Sequence, residues 1–188
     1  WVPGPGLKLF QAVRDTLGSL PIIAEDLGMI TPEVDALRNQ LGFPGMRVLQ
    51  FSFGSGPKAN EYRPYNYPRN CVVYTGTHDN NTTVGWFRGD DVGDSTQSKE
   101  EREREKQVAL TYLGTDGREI SWDFIRLALM SAADTVIIPM QDVLGLVSKA
   151  RMNIPGKAEG NWRWRLASDM LTEEVRSRLK KLTAFSGR

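Results

Sequence analysis

The chain has 188 residues, 40% hydrophobic and 25% charged, enough to bury one sizeable core and little more. Its 24 Lys and Arg balance 23 Asp and Glu to a net charge of +1, which gives no electrostatic reason to expect nucleic acid or an anionic membrane as a partner. One cysteine, Cys71, and one histidine, His78, exclude an internal disulfide and any multi-histidine or Cys/His metal site built from this chain alone, and no apolar run approaches the roughly 18 residues of a membrane span.

The opening Trp1-Val2-Pro3-Gly4-Pro5-Gly6 has neither an initiator Met nor the layout of a signal peptide, so the beginning reads as cut. Apolar residues at Leu7, Leu9, Phe10, Val13 and Leu17 then predict a first helix. Pro21-Ile22-Ile23-Ala24 is a short apolar run ending in Glu25-Asp26, the pattern of a buried strand with two acids at its carboxyl end. Thr31-Pro32-Glu33 supplies an N-cap, a proline at the first helical position and an acid in the first turn of a helix that runs to Gly42.

A second strand is predicted over Met46 to Phe51, followed by a long polar loop from Ser52 to Asn70. Cys71-Val72-Val73-Tyr74 is a third strand, running into the polar Thr75 to Thr83. The charged stretch from Gly89 to Lys106 reads as a loop and then a solvated helix, opened by a Ser98/Glu101 capping box and given an apolar face by Val108, Ala109, Tyr112 and Leu113. Ser121-Trp122-Asp123 opens another helix, Asp134 to Pro139 is a fourth strand ending in Met140-Gln141-Asp142, and Thr172 caps a closing helix with Val175, Leu179 and Leu182 on one face. Between them, Arg151 to Arg165 is irregular and rich in tryptophan.

Four strands alternating with helices, each ending in polar residues, predict parallel βα units, and both α/β architectures of this kind gather their sites at strand carboxyl ends. A complete (β/α)8 barrel takes about 250 residues and eight strands. The expectation is therefore an α/β fold, the carboxyl-terminal half of such a barrel with a terminal helical region, in which residues 1–188 form one partial catalytic domain without its amino-terminal half.

Two groups stand out chemically. Glu25, at a strand end, is placed for the desolvation that makes a carboxyl a general acid, although an acid there also serves as a helix cap. Thr77-His78-Asp79-Asn80 crowds the only histidine and a second carboxylate after the next strand but one. Two carboxylates on nearby strand ends suit glycosidic chemistry, in which one donates a proton and another opposes an oxocarbenium-like charge; a hydrogen-bond network at a strand-loop junction is the alternative. Gly54-Ser55-Gly56 and Gly156-Lys157 lack the remaining residues of nucleotide-binding loops, so no cofactor is implied, and neither is a metal. The glycosylation patterns at Asn80 and Asn81 read as loop residues.

Taken in order, Ile23-Ala24-Glu25-Asp26-Leu27-Gly28, Gly42-Phe43-Pro44-Gly45-Met46, Val73 to Asn80, Gln141-Asp142-Val143-Leu144-Gly145 and Gly160-Asn161-Trp162-Arg163-Trp164-Arg165 resemble the 4-α-glucanotransferases, also called amylomaltases or disproportionating enzymes. The resemblance implies retaining transfer of α-1,4-glucan segments to the 4-hydroxyl of an acceptor, with α-glucans and maltooligosaccharides as partners. It implies that Glu25 is the general acid/base, Asp79 the second essential carboxylate and His78 a sugar contact. Asn66, Asn161 and Trp162 match positions near the bound glucan, and Tyr65 stands where relatives often carry His. The resemblance implies that the nucleophilic aspartate lies on the preceding strand, in a motif upstream of residue 1; neither Asp15, in the first helix, nor Asp26, which points away from Glu25, matches that motif, so the isolated chain is expected to be inactive. A related α-glucan hydrolase or debranching enzyme, or a fragment that only binds maltooligosaccharide, are the alternative readings. Missing export features together with the resemblance imply a cytoplasmic enzyme, or a plastid one in a plant or alga.

Overall fold

The computed structural model describes residues 2, 4–56, 59–90 and 97–188. Part of the loop expected before the charged helix, and Trp1 and Pro3 of the opening segment, lie outside them. Helix α1 (Leu7–Leu17) has the expected bounds, and α2 (Pro32–Leu41) starts on proline and stops at Gly42 in the left-handed conformation. Thr31 sits at the N-cap of α2 without accepting a backbone proton there; its hydroxyl instead bonds the Glu33 side chain and holds that carboxyl below its ordinary range.

Three parallel strands, β1 (Gly45–Val48), β2 (Cys71–Tyr74) and β3 (Thr135–Ile137), form one sheet in sequence order. Met46 pairs with Val72 and Val72 with Thr135, so like faces align across all three. Between β2 and β3 run the short α3 (Thr83–Arg88), α4 (Lys99–Leu113) and α5 (Ile120–Leu129); α6 (Met140–Val143) and α7 (Glu173–Phe185) follow β3. The capping box on α4 forms in both directions, Ser98 accepting from the Glu101 amide and Glu101 accepting from Ser98.

The fold is mixed α/β, as expected, but the first of the four expected strands is not formed: residues 21–24 do not join the sheet as a strand. One ladder bond is made, from the Ala24 amide to the Pro44 carbonyl at 2.9 Å. In a parallel ladder the Met46 amide would return to Ala24; it donates instead to Asp26 Oδ1 at 2.6 Å, so a side chain takes the place of the strand's carbonyl. The expected second strand also ends early, because Leu49–Phe53 turn into a 3-10 helix in which Leu49, Gln50, Ser52 and Phe53 are all buried. A strand of period two cannot bury both neighbours on one face.

Cys71, Val73 and Val136 on one sheet face pack with Leu49, Phe53, Phe124 and Ala128 in the main core. Phe53 is its hub, with ring centroids 5.5 Å from Phe124 and 6.1 Å from Trp86. A second cluster, Ile125, Leu129 and Val143, receives Val175, Leu179 and Leu182 of α7, the face predicted for that helix. The opposite sheet face is less covered: Thr135 and Ile137 of β3 are exposed, and an open cavity of about 640 Å³ lies beside Val72 and Thr135, walled by α1 and residues 18–23.

Candidate active site

The polar residues collect at one edge of the sheet because the strands run parallel: their carboxyl ends lead into residues 49–53, 75–82 and 138–142, while the segment carrying Glu25 lies beside the first residues of β1, with Ala24 bonded to Pro44 and Asp26 to Met46.

Along residues 21–26 exposure alternates, so Asp26 is buried while Glu25 is exposed and takes no side-chain partner among the described residues. The desolvation expected for Glu25 is thus not present; the buried acid is its neighbour. Asp26 accepts from the Met46 amide and is ion-paired to Arg38 and, at 3.2 Å, to Arg47. Arg47 Nε is buried without a hydrogen-bond partner among the described residues. Asp26 therefore anchors the backbone that presents Glu25 outward, as the alternation of the sequence predicted.

The loop from Thr75 to Thr83 is held at both its base and its tip. At the tip, Asn153 Nδ2 donates to Asp79 Oδ1 at 2.5 Å, the Asn153 amide donates to the His78 carbonyl at 3.1 Å, and Arg151 Nη2 donates to the Asp79 carbonyl at 2.7 Å. His78 Nε2 lies 3.4 Å from Asp79 Oδ1, and both side chains are about half exposed. Within the loop, Asn80 Oδ1 accepts from the amide and hydroxyl of Thr77 at 2.9 and 2.8 Å, which closes the turn carrying His78 and Asp79. Gln50 passes beneath and donates to the Asn81 carbonyl at 2.8 Å; a Cβ on Gly76 would lie 2.7 Å from Gln50 Nε2, so glycine is needed for that approach. Asn81 is buried and bonded to Ser148 and Thr82, which makes the glycosylation pattern there a packing feature.

Trp162 stands over this loop, its ring centroid 5.1 Å from that of His78 at a tilt of 36°. It is the only non-glycine with positive φ among the described residues, at 61°, and its amide donates to Met152 at 2.6 Å. The strained backbone holds a half-exposed indole beside the histidine. Asn161 braces the segment that carries Trp162 from within: its Oδ1 accepts from the Ile154 amide at 2.9 Å and its Nδ2 donates to the Lys157 carbonyl at 2.8 Å.

Asn66 and Tyr65 are not brought to this cluster by any bond. Both sit on a short 3-10 turn and donate to Asn60, Asn66 to the carbonyl at 2.8 Å and Tyr65 to the side chain at 3.1 Å. Tyr65 is 68% exposed and free to meet a ligand face; the Asn66 amide nitrogen is already engaged. Cys71 is buried with its thiol pushed up to about 11 by burial, which removes it as a nucleophile. No group of three or more His, Cys, Asp or Glu among the described residues is placed to hold a metal ion.

Arg151, Asn153, Gln50 and Asp142 went unrecognised in the sequence as site residues. For Gln50 the signal was a polar residue inside an apolar run, and for Asp142 an acid shortly after one; Arg151 and Asn153 lie in an irregular segment where no periodicity points anywhere.

The fold and this edge define an α/β unit in which His78, Asp79 and the Trp162 face gather beyond the carboxyl ends of parallel strands. The profile of the 4-alpha-glucanotransferases, glycoside hydrolase family 77, matches residues 1–172. A 4-alpha-glucanotransferase of Synechocystis is 49% identical over the whole chain, which spans 35% of that relative, and a chloroplastic/amyloplastic 4-alpha-glucanotransferase of Arabidopsis thaliana is 46% identical over the whole chain and 31% of its own length. Among solved structures, an amylomaltase from Streptococcus agalactiae in complex with acarbose superposes with a TM-score of 0.87 at 35% identity, over all of this chain and 36% of that one. The chain belongs to the 4-alpha-glucanotransferase family and spans about a third of the length of the relatives it matches.

Proposed function

We propose that residues 1–188 are part of the catalytic (β/α)8 barrel of an enzyme that transfers α-1,4-glucan segments to the 4-hydroxyl of an acceptor glucan or glucose with retention. The observation that carries this reading is the family profile's match through residue 172, together with the exposed His78-Asp79 pair in the loop that follows the carboxyl end of β2. The sequential order of the three parallel strands fits a segment of such a barrel. Eight strands are needed, so the others and the nucleophilic carboxylate come from residues outside these 188. The uncovered Thr135/Ile137 face is where they would close the barrel.

In the proposed mechanism Glu25 protonates the departing glycosidic oxygen and then deprotonates the acceptor hydroxyl. Its exposed position in this chain becomes desolvated only when glucan and the rest of the barrel cover it. Asp79, oriented by Asn153, accepts sugar hydroxyls and opposes positive charge at the anomeric carbon, His78 adds a second hydrogen-bonding group, and Trp162 offers an apolar face to a pyranose ring. Asn161 shapes the loop that carries Trp162 and contributes through that shape. No cofactor enters any step. The location follows the host: plastid in plants, as the Arabidopsis relative's name states for that protein, and cytoplasm in bacteria. No helix among the described residues is long and apolar enough to cross a membrane.

The test is a full-length chimera in which this chain replaces the matching third of the Synechocystis relative, assayed on maltotriose with products resolved by length, beside the 188-residue chain alone. Longer oligosaccharides from the chimera and none from the chain alone are expected. Hydrolysis products only would overturn transfer, and longer products from the chain alone would overturn the assignment of the nucleophile to residues outside it.

A further inference from the structure

Asp142 is buried to 1% exposure on the first turn of α6, directly after β3, and both of its oxygens face donors from a different strand's loop. Oδ2 accepts from the Thr75 hydroxyl at 2.5 Å and from the Thr83 hydroxyl at 2.8 Å, and Oδ1 accepts from the Thr83 amide at 2.7 Å. Thr75 is the residue that follows β2 and Thr83 the residue that opens α3, so these two threonines are the two ends of the loop carrying His78 and Asp79. One carboxylate thus closes the loop at its base. Beside it lies a cavity of about 120 Å³, lined by Thr77, His78, Asn80, Gln141, Asp142 and Arg151. A volume of this size leaves the loop room to slump inward when its base is released.

We propose that Asp142 is a positioning residue of the transfer reaction, fixing the loop that presents His78 and Asp79 by closing Thr75 and Thr83 on one buried carboxylate. It cannot touch substrate, being enclosed, and acts through the loop. The inference rests on the reading of Asp79 and His78 as substrate-facing groups. Burial pushes the Asp142 carboxyl above its ordinary range, and the hydrogen bonds from Thr75 and Thr83 oppose that shift.

The experiment uses the full-length chimera carrying Asp142→Asn, Thr75→Val or Thr83→Ser, with Ile125→Val as a control that loosens the neighbouring core without touching the loop. Maltotriose disproportionation is measured together with thermal midpoint, and the histidine 13Cε1–1H signal that disappears in His78→Gln reports the loop, because the Trp162 ring shifts it. Asp142→Asn and Thr75→Val should lower kcat by up to about a hundredfold, the scale of a misplacement of about 1 Å, with KM little changed, and should move the His78 signal away from its Trp162-shifted position. Thr83→Ser keeps both donors and should retain activity and the signal. The inference is overturned when Asp142→Asn and Thr75→Val lower the midpoint as Ile125→Val does yet leave kcat and the His78 signal in place. Where Asp142→Asn does not fold, Thr75→Val, which loses one donor at constant shape, decides. Asp79→Asn is run in parallel: full activity in that variant removes the underlying reading of the site, while the His78 signal still tests the clamp.

Discussion

The two carboxylates proposed for the reaction are held in opposite ways. Asp79 sits in a loop bonded at base and tip to two further elements, over a sheet edge backed by the main core. Glu25 stands exposed on a segment that joins the sheet by one backbone bond and by its neighbour Asp26. The β2–β3 side is therefore self-sufficient within these residues, whereas the β1 side relies on a buried ion cluster and is open where further strands would cover it. The lesson is that Asp79 is preorganised before substrate arrives, and Glu25 is placed by its anchor and completed by whatever closes over it.

This contrast is broken most strongly at Glu25 itself. Glu25→Gln in the chimera should lower transfer by about 10³-fold, within the range for a lost general acid/base, and leave the unfolding midpoint unchanged because the side chain packs against nothing. The next effect is at its anchor. Asp26→Ala strips the acceptor from Arg38, Arg47 and the Met46 amide, and removing one member of a buried ion cluster costs about 3 kcal/mol. Urea unfolding should show that loss, and hydrogen exchange should speed up at the Met46 amide and not at Val73 on the β2 side. A uniform rise in exchange would erase the distinction between the two sides.

How much of this was legible in the sequence divides along the same line. Helix α1, the capping box of α4, strand β2 and the apolar face of α7 were readable because each rests on local spacing and local caps. The strand over residues 21–24 was not, because Asp26 takes the Met46 proton, a long-range competition no apolar run reveals. Helix α3 escaped too: Thr-Val-Gly-Trp-Phe-Arg has poor helix propensity, and the helix starts because Thr82 and Asp142 receive its first amides. Glu25, His78 and Asp79 are candidates through motifs, but the supports of the His78/Asp79 loop, Asn153, Arg151 and Asp142, belong to segments 59 to 74 residues away from their partners and needed the fold.

A smaller effect separates the far end of the sheet. The Arg188 guanidinium donates to the carbonyls of Leu129, Ser131, Ala133 and Asp134, tying the residues after α7 to the turn that leads into β3. Arg188→Ala should cost about 1 kcal/mol, read as a lower unfolding midpoint, and leave transfer in the chimera unaffected, since the contacts lie at the opposite end of β3 from the site.

The smallest expected effect tests whether the β2–β3 side carries any cost for its tight packing. Glu105 on α4 is pushed above its ordinary value of 4.5, chiefly by burial, with Gln97 opposing that shift. A carboxyl with a raised value in the folded state binds more protons there than in the unfolded chain, so its contribution to stability is fully present below about pH 4.5 and is lost as pH rises through the folded value. Glu105→Gln keeps an acceptor for Gln97 and removes the charge. It should raise the midpoint by about a degree or two near pH 7 and give no gain at pH 4, measured by thermal unfolding at both pH values. An equal gain at both would assign the effect to packing against Gly54, whose Cβ position lies 2.7 Å from Glu105 Oε1, and not to the buried charge.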